Sequence, residues 1–116
     1  MPIRWQCPLA VRTRVYTSKS DVYSFGVLVF EIVSGGSTPF AELKTDEVMA
    51  AVEAGHRLRP PLDTPEALRE LIHSCTTMNV AQRPSMQTVR TALGAAVPSG
   101  VERHVDNNEE EGETEL

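Results

Sequence analysis

Few side chains in this sequence stand where chemistry would need them. Cys7 and Cys75 are its two cysteines, far apart and forming neither a disulfide framework nor a CxxC metal pair, so reduced and buried thiols are expected. Cys7 lies in an open stretch beside Arg4, where a cation can activate a thiol, although burial is the stronger expectation. His56 and His73 have no partner at metal-ligand spacing. Glu31 reads as a surface carboxylate, and Tyr16 is a candidate phosphate acceptor. Asp21 and Arg83 stand out only by position, one at the start of a long apolar run and the other before a proline.

The elements that must position these groups are arranged around Ser20–Val33, SDVYSFGVLVFEIV. Its apolar residues fall on every side of a helix, the pattern of a buried helix rather than a surface one. Its β-branched residues would also suit a strand. The flanks decide for helix: Thr17, Ser18 and Ser20 can cap it, Asp21 suits the positive end of the dipole, and Gly35-Gly36 stops it. The run is too short to span a bilayer, which needs about 20 apolar residues.

Before it, residues 1–16 read as a loop with one helical turn near Pro8–Val11. After it, Gly35–Phe40 is a turn, and Thr45 is expected to cap a helix from Asp46 to Ala54. Thr64-Pro65 is expected to start a helix reaching about Thr76, with Leu68, Leu71, Ile72 and Cys75 on one face. Asn79–Gln82 is a turn, and Pro84 opens a last helix to about Ala95 that buries Met86, Val89 and Leu93. No strand is expected. The fold class is therefore all-α: one central buried helix, three amphipathic helices and a polar end. Residues 101–116 carry seven carboxylate side chains against Arg103, more than the whole net charge of −5. From Pro98 on, no apolar face is available to bury, and a disordered acidic tail is expected over 98–116. The first hundred residues are nearly neutral, which excludes a basic nucleic-acid surface. No charged and apolar secretion signal opens the chain.

Several stretches in register resemble the later part of the catalytic domain of protein kinases, specifically the tyrosine-kinase group. Pro2–Trp5, PIRW, resembles the substrate-side loop after the activation segment. Cys7-Pro8-Leu9 stands where the family carries A-P-E, twelve residues before Asp21. Arg14–Ile32 resembles the central helix of the large lobe with its lead-in, Val48–Pro61 the segment after it, and Ala81–Met86, AQRPSM, the last conserved block. The resemblance covers roughly residues 2–95 and makes 1–97 a partial kinase large lobe. It implies that Pro2, Ile3, Arg4 and Trp5 line a peptide-substrate groove, that Asp21 holds the backbone of a catalytic loop, and that Gly26 permits close helix packing.

It also defines what is missing. Phosphoryl transfer in this family uses a glycine-rich loop, a strand lysine, a catalytic-loop aspartate, and a D-F-G aspartate and asparagine for magnesium. The sequence contains no GxGxxG, HRD or DFG, so no catalytic, cofactor-binding or metal residue is assigned here. ATP and Mg belong, by resemblance, to a full-length parent that phosphorylates protein Tyr (or Ser/Thr). Leu9 replaces the glutamate that in the family pairs with the arginine at Arg83, and an unpaired buried guanidinium costs on the order of 3–5 kcal/mol. Either Arg83 finds another acceptor, such as a carbonyl at a helix C-terminus, or its site is solvated. Thr76 stands where tyrosine kinases usually carry tryptophan. These departures fit a pseudokinase, a decayed gene or a truncated reading of a longer gene.

The alternative class is a non-catalytic module that grips a protein partner with an uncovered face of the central helix. Three amphipathic helices cannot wrap a helix that is apolar on all sides, so a large apolar patch is expected to stay exposed. Thr114 and Leu116 form, with the free carboxylate, a candidate ligand for a PDZ domain. The implied setting is cytoplasmic, or the cytoplasmic part of a membrane receptor.

Overall fold

The computed structural model describes residues 2–96. Five α-helices follow in order: α1 (Pro8–Thr13), α2 (Ser18–Val33), α3 (Val48–Glu53), α4 (Glu66–Cys75) and α5 (Met86–Ala96). Short 3-10 turns lie at Ile3–Trp5, Thr45–Glu47 and Val80–Gln82. Among the described residues there is no strand, and none of their helices is long and apolar enough to cross a membrane.

The central helix begins where its capping chemistry says it should. Thr17 Oγ1 accepts from the Ser20 N–H, and Ser20 Oγ accepts from the Thr17 N–H at 2.7 Å, a reciprocal box that satisfies two otherwise free donors. At the other end Gly35 and Gly36 take φ of 73° and 91°. The Gly36 N–H then reaches back to Glu31 O at 2.8 Å, closing the helix.

Three of the expected helix starts are displaced. Thr45 does not cap α3. Its hydroxyl accepts from Arg4 Nη2 at 3.2 Å, while the Lys44 N–H is taken by Glu47 Oε1 at 2.9 Å. Residues 45–47 wind as a 3-10 turn and α3 starts only at Val48. Thr64 does not cap α4 either. Pro65 is extended, and its carbonyl takes the first helical bonds, from Leu68 and Arg69 at 3.0 Å. That leaves Thr64 one position too early, with Oγ1 buried and without a partner among the described residues. Pro84 likewise lies before α5, where Ser85 Oγ accepts from the Thr88 N–H at 3.1 Å.

α2 is the hub. Val22, Tyr23, Val27, Val29 and Phe30 are buried, as are Ile72 and Cys75 of α4 and Val89 of α5. The α2–α4 crossing is close because of Gly26: a Cβ there would lie 2.5 Å from Cys75 Cβ and 3.1 Å from Thr76 Cγ2. A small residue at a crossing lets backbones approach, here at the middle of the core. On the far side Arg12 holds both carboxylate oxygens of Glu53, at 2.6 and 2.7 Å, tying α1 to α3.

Candidate functional site

One flank of α2 has no covering element among the described residues. Asp21, Phe25, Leu28 and Ile32 follow one another at helical spacing along it. Leu28 is 45% and Ile32 68% exposed, and Phe25 is only half-buried. In front of this flank lies an open cleft of about 520 Å³, walled by Pro2, Trp5, Ser24, Phe25, Leu28 and Met86, with Asp21 at its edge. The walls are almost entirely apolar, and the Asp21 carboxylate is solvent-exposed. Leu28 and Ile32 are thus exposed on this flank, while Phe25 packs against the core from the same side.

The first turn reaches this cleft because two side chains anchor it. Arg4 donates to the carbonyls of Pro39, Phe40 and Leu43 at 3.1, 2.7 and 2.9 Å, and to Thr45 Oγ1. Both terminal nitrogens of its guanidinium are thereby engaged by the loop between α2 and α3. Phe40 itself holds a left-handed φ of 55° while its side chain is buried. Trp5 donates from Nε1 to Glu31 Oε1 at 3.1 Å, so Glu31 is an anchor and not a free surface carboxylate. Of the four residues read as a substrate-side loop, Pro2 and Trp5 face the cleft, Arg4 turns into the protein, and Ile3 lies half-buried in the turn.

Leu9 and Arg83 come together at a second, smaller pocket of about 280 Å³. Arg83 is 2% exposed, and its acceptors are carbonyls, as one of the two sequence readings required. Nε and Nη2 donate to Thr77 O, just past the end of α4, at 3.1 and 2.8 Å, and Nη1 donates to Lys19 O at 2.9 Å. The Lys19 ammonium in turn donates to Arg83 O. The guanidinium also lies over the Tyr23 ring, 5.4 Å from its centroid, a favourable seat for a cation.

Burial dominates the titration of the groups around it. It pushes the Tyr23 hydroxyl well above the usual tyrosine range and the Cys75 thiol up to about 11. Both are therefore neutral at physiological pH, and Cys75 is a packing residue. Cys7 is buried and free of a disulfide, as expected. Tyr16 is 59% exposed and donates to Gln6 Oε1 at 2.9 Å. Thr114 and Leu116 lie outside the described residues, as does all of the expected acidic tail.

Periodicity gave no sign of the Arg4 anchor, the Trp5–Glu31 bond or the Arg83–Tyr23 stack. All three start from irregular segments and reach partners far along the chain, Arg4 in the loop before α3 and the other two on α2. A family model described as protein tyrosine and serine/threonine kinase matches residues 1–93. Human ephrin type-A receptor 1 is 42% identical over 93 residues, covering 80% of this chain and 10% of the receptor. Rat ephrin type-A receptor 8 is 39% identical over 99 residues, covering 85% of this chain and 27% of the relative. Mouse megakaryocyte-associated tyrosine-protein kinase is 37% identical over 113 residues, covering 97% of this chain and 22% of that protein. The chain thus spans between a tenth and about a quarter of the length of these relatives.

Proposed function

The chain belongs to the protein tyrosine and serine/threonine kinase family, and we propose that it supplies the hub and substrate-side wall of a tyrosine-kinase large lobe. The uncovered flank of α2 carries this reading. A helix with Leu28 and Ile32 exposed, and with Phe25 and Leu28 walling a 520 Å³ apolar cleft, is shaped to be covered by further polypeptide. In the complete domain the covering part holds the ATP- and magnesium-binding groups, and Asp21, exposed at the cleft edge, receives its backbone N–H groups. Pro2 and Trp5, side by side at the cleft, present the substrate-side surface, with Arg4 fixing its height from behind. The γ-phosphate of ATP passes to a protein tyrosine on that assembled surface, on the cytoplasmic side. The 116-residue chain by itself neither binds ATP nor transfers phosphate.

A non-catalytic binding module is the second reading, favoured by Leu9 where the family has glutamate, with Arg83 held by carbonyls instead. Two measurements separate the readings. The chain alone is expected to enhance the fluorescence of a hydrophobic dye and to give no heat on titration with Mg-ATP; heat of binding overturns the proposal. Joined to the ATP-binding half of a tyrosine-kinase domain, it is expected to phosphorylate a tyrosine-containing polymer. A chimera that folds and binds ATP but transfers nothing favours the binding module. The PDZ-ligand reading of Thr114 and Leu116 rests on their spacing alone, and deleting Leu116 should abolish capture by a PDZ domain.

A further inference from the structure

The sequence holds two tyrosines, Tyr16 and Tyr23, and the fold treats them in opposite ways. Tyr23 is 1% exposed, lies under the Arg83 guanidinium and has its hydroxyl pushed above the usual tyrosine range by burial. Tyr16 is 59% exposed and stands in the connector between α1 and α2, outside both helices. Arg14 turns this connector with a left-handed φ of 60°, and Thr17 ends it extended, at φ −130° and ψ 175°. Every residue from Arg12 to Ser18 is exposed. An enzyme can therefore reach the ring and the backbone on either side of it without opening a helix.

Two polar groups stand ready to register a change at the hydroxyl. Tyr16 donates to Gln6 Oε1 at 2.9 Å, which ties the connector to the residue after Trp5. The Arg14 side chain, two positions away, is exposed and has no hydrogen-bond or ion-pair partner among the described residues. We propose that Tyr16 is a site of tyrosine phosphorylation and that the phosphate releases the connector from Gln6. On an external tyrosine kinase the Tyr16 oxygen attacks the γ-phosphorus of ATP. The new O–P bond forms as the bond to the bridging oxygen breaks, ADP leaves, and the phenolic proton passes to the enzyme's base. The product has no O–H to give to Gln6 and carries a charge of about −1.5 to −2 at pH 7. Its oxygens repel the Gln6 carbonyl oxygen and draw the Arg14 guanidinium, whose fork suits a phosphate. The chain is here the substrate, so the inference stands apart from its own place in a kinase domain.

The folded chain, incubated with Mg-ATP and the active catalytic domain of either an ephrin receptor or the megakaryocyte-associated kinase, tests this. Its intact mass should rise by one phosphate, mapped by fragmentation to Tyr16, and Tyr16→Phe should take up none. Incorporation without added enzyme would sink the proposed function and leave Tyr16 as the acceptor. In 15N spectra the phosphorylated chain should show shifts at the Gln6 side-chain amide and the Arg14 Nε–H. Tyr16→Phe, which removes the same hydrogen bond without adding charge, should move Gln6 alone. No phosphate from either enzyme, or phosphate on Tyr23 of the folded chain, would overturn the assignment. A phosphorylated chain in which Gln6 and Arg14 keep their positions would overturn the release.

Discussion

The two flanks of α2 are built from the same kinds of residue and end in opposite states. Toward α4 the helix presents Val22, Gly26 and Val29–Phe30 to a packed interface in which Ile72 and Cys75 are fully buried. Toward the cleft it presents Leu28 and Ile32 to solvent, with Phe25 half-buried between the two sides. Side-chain type does not distinguish them; the presence of a fitted neighbour does. Hydrophobic residues on a helix thus report where a contact is intended, and only packing reports where it is made.

Substitutions should separate the flanks by size of effect. Ile72→Ala empties part of the sealed side, and its urea midpoint should fall by an amount worth about 2–5 kcal/mol. Gly26→Ala should cost about 1–3 kcal/mol, since the new methyl meets Cys75 Cβ and one helix must move. The gain of up to about 1 kcal/mol in helix propensity offsets only part of this. An unchanged or raised midpoint would mean the crossing is looser than described. Leu28→Ser on the open side should change the midpoint by no more than about 0.5 kcal/mol while lowering dye fluorescence. A loss comparable to Ile72→Ala would show that this flank is covered after all.

The smallest effect concerns neither flank but the loop behind the cleft. The hydrogen bond to His56, 2.6 Å long, holds the Glu42 carboxyl below the ordinary carboxylate range. A carboxylate whose folded pKa is depressed contributes stability at neutral pH, and that contribution is lost as pH falls below about 4.5 toward the folded value. The Glu42 side chain is 55% exposed, so the acid-side slope should be shallow. It should flatten measurably in Glu42→Gln when unfolding is followed from pH 6 to pH 3.

What the sequence disclosed follows the same division. Both ends of α2 were legible, because Thr17 and Gly35-Gly36 act on their immediate neighbours. The bare flank was legible too, since it follows from the number of helices available to cover one apolar on all sides. The starts of α3 and α4 were not, because Thr45 and Thr64 are good caps whose fates were decided elsewhere: Thr45 by Arg4 from across the fold, Thr64 by the extended Pro65. For Arg83 the sequence posed the right question, a cation without its carboxylate, and the carbonyls of Thr77 and Lys19 answer it. Arg4 read as part of a peptide-substrate groove, because nothing local ties it to residues 39–45.

That last arginine has a mechanical consequence. With its donors shared among Pro39, Phe40, Leu43 and Thr45, the opening turn and the lead-in to α3 are fastened at a single point. Movement of the opening turn pulls on a segment some forty residues along the chain. Amide protons in the two segments should therefore exchange with deuterium together, and cutting the fastening with Arg4→Ala should let each exchange at its own rate.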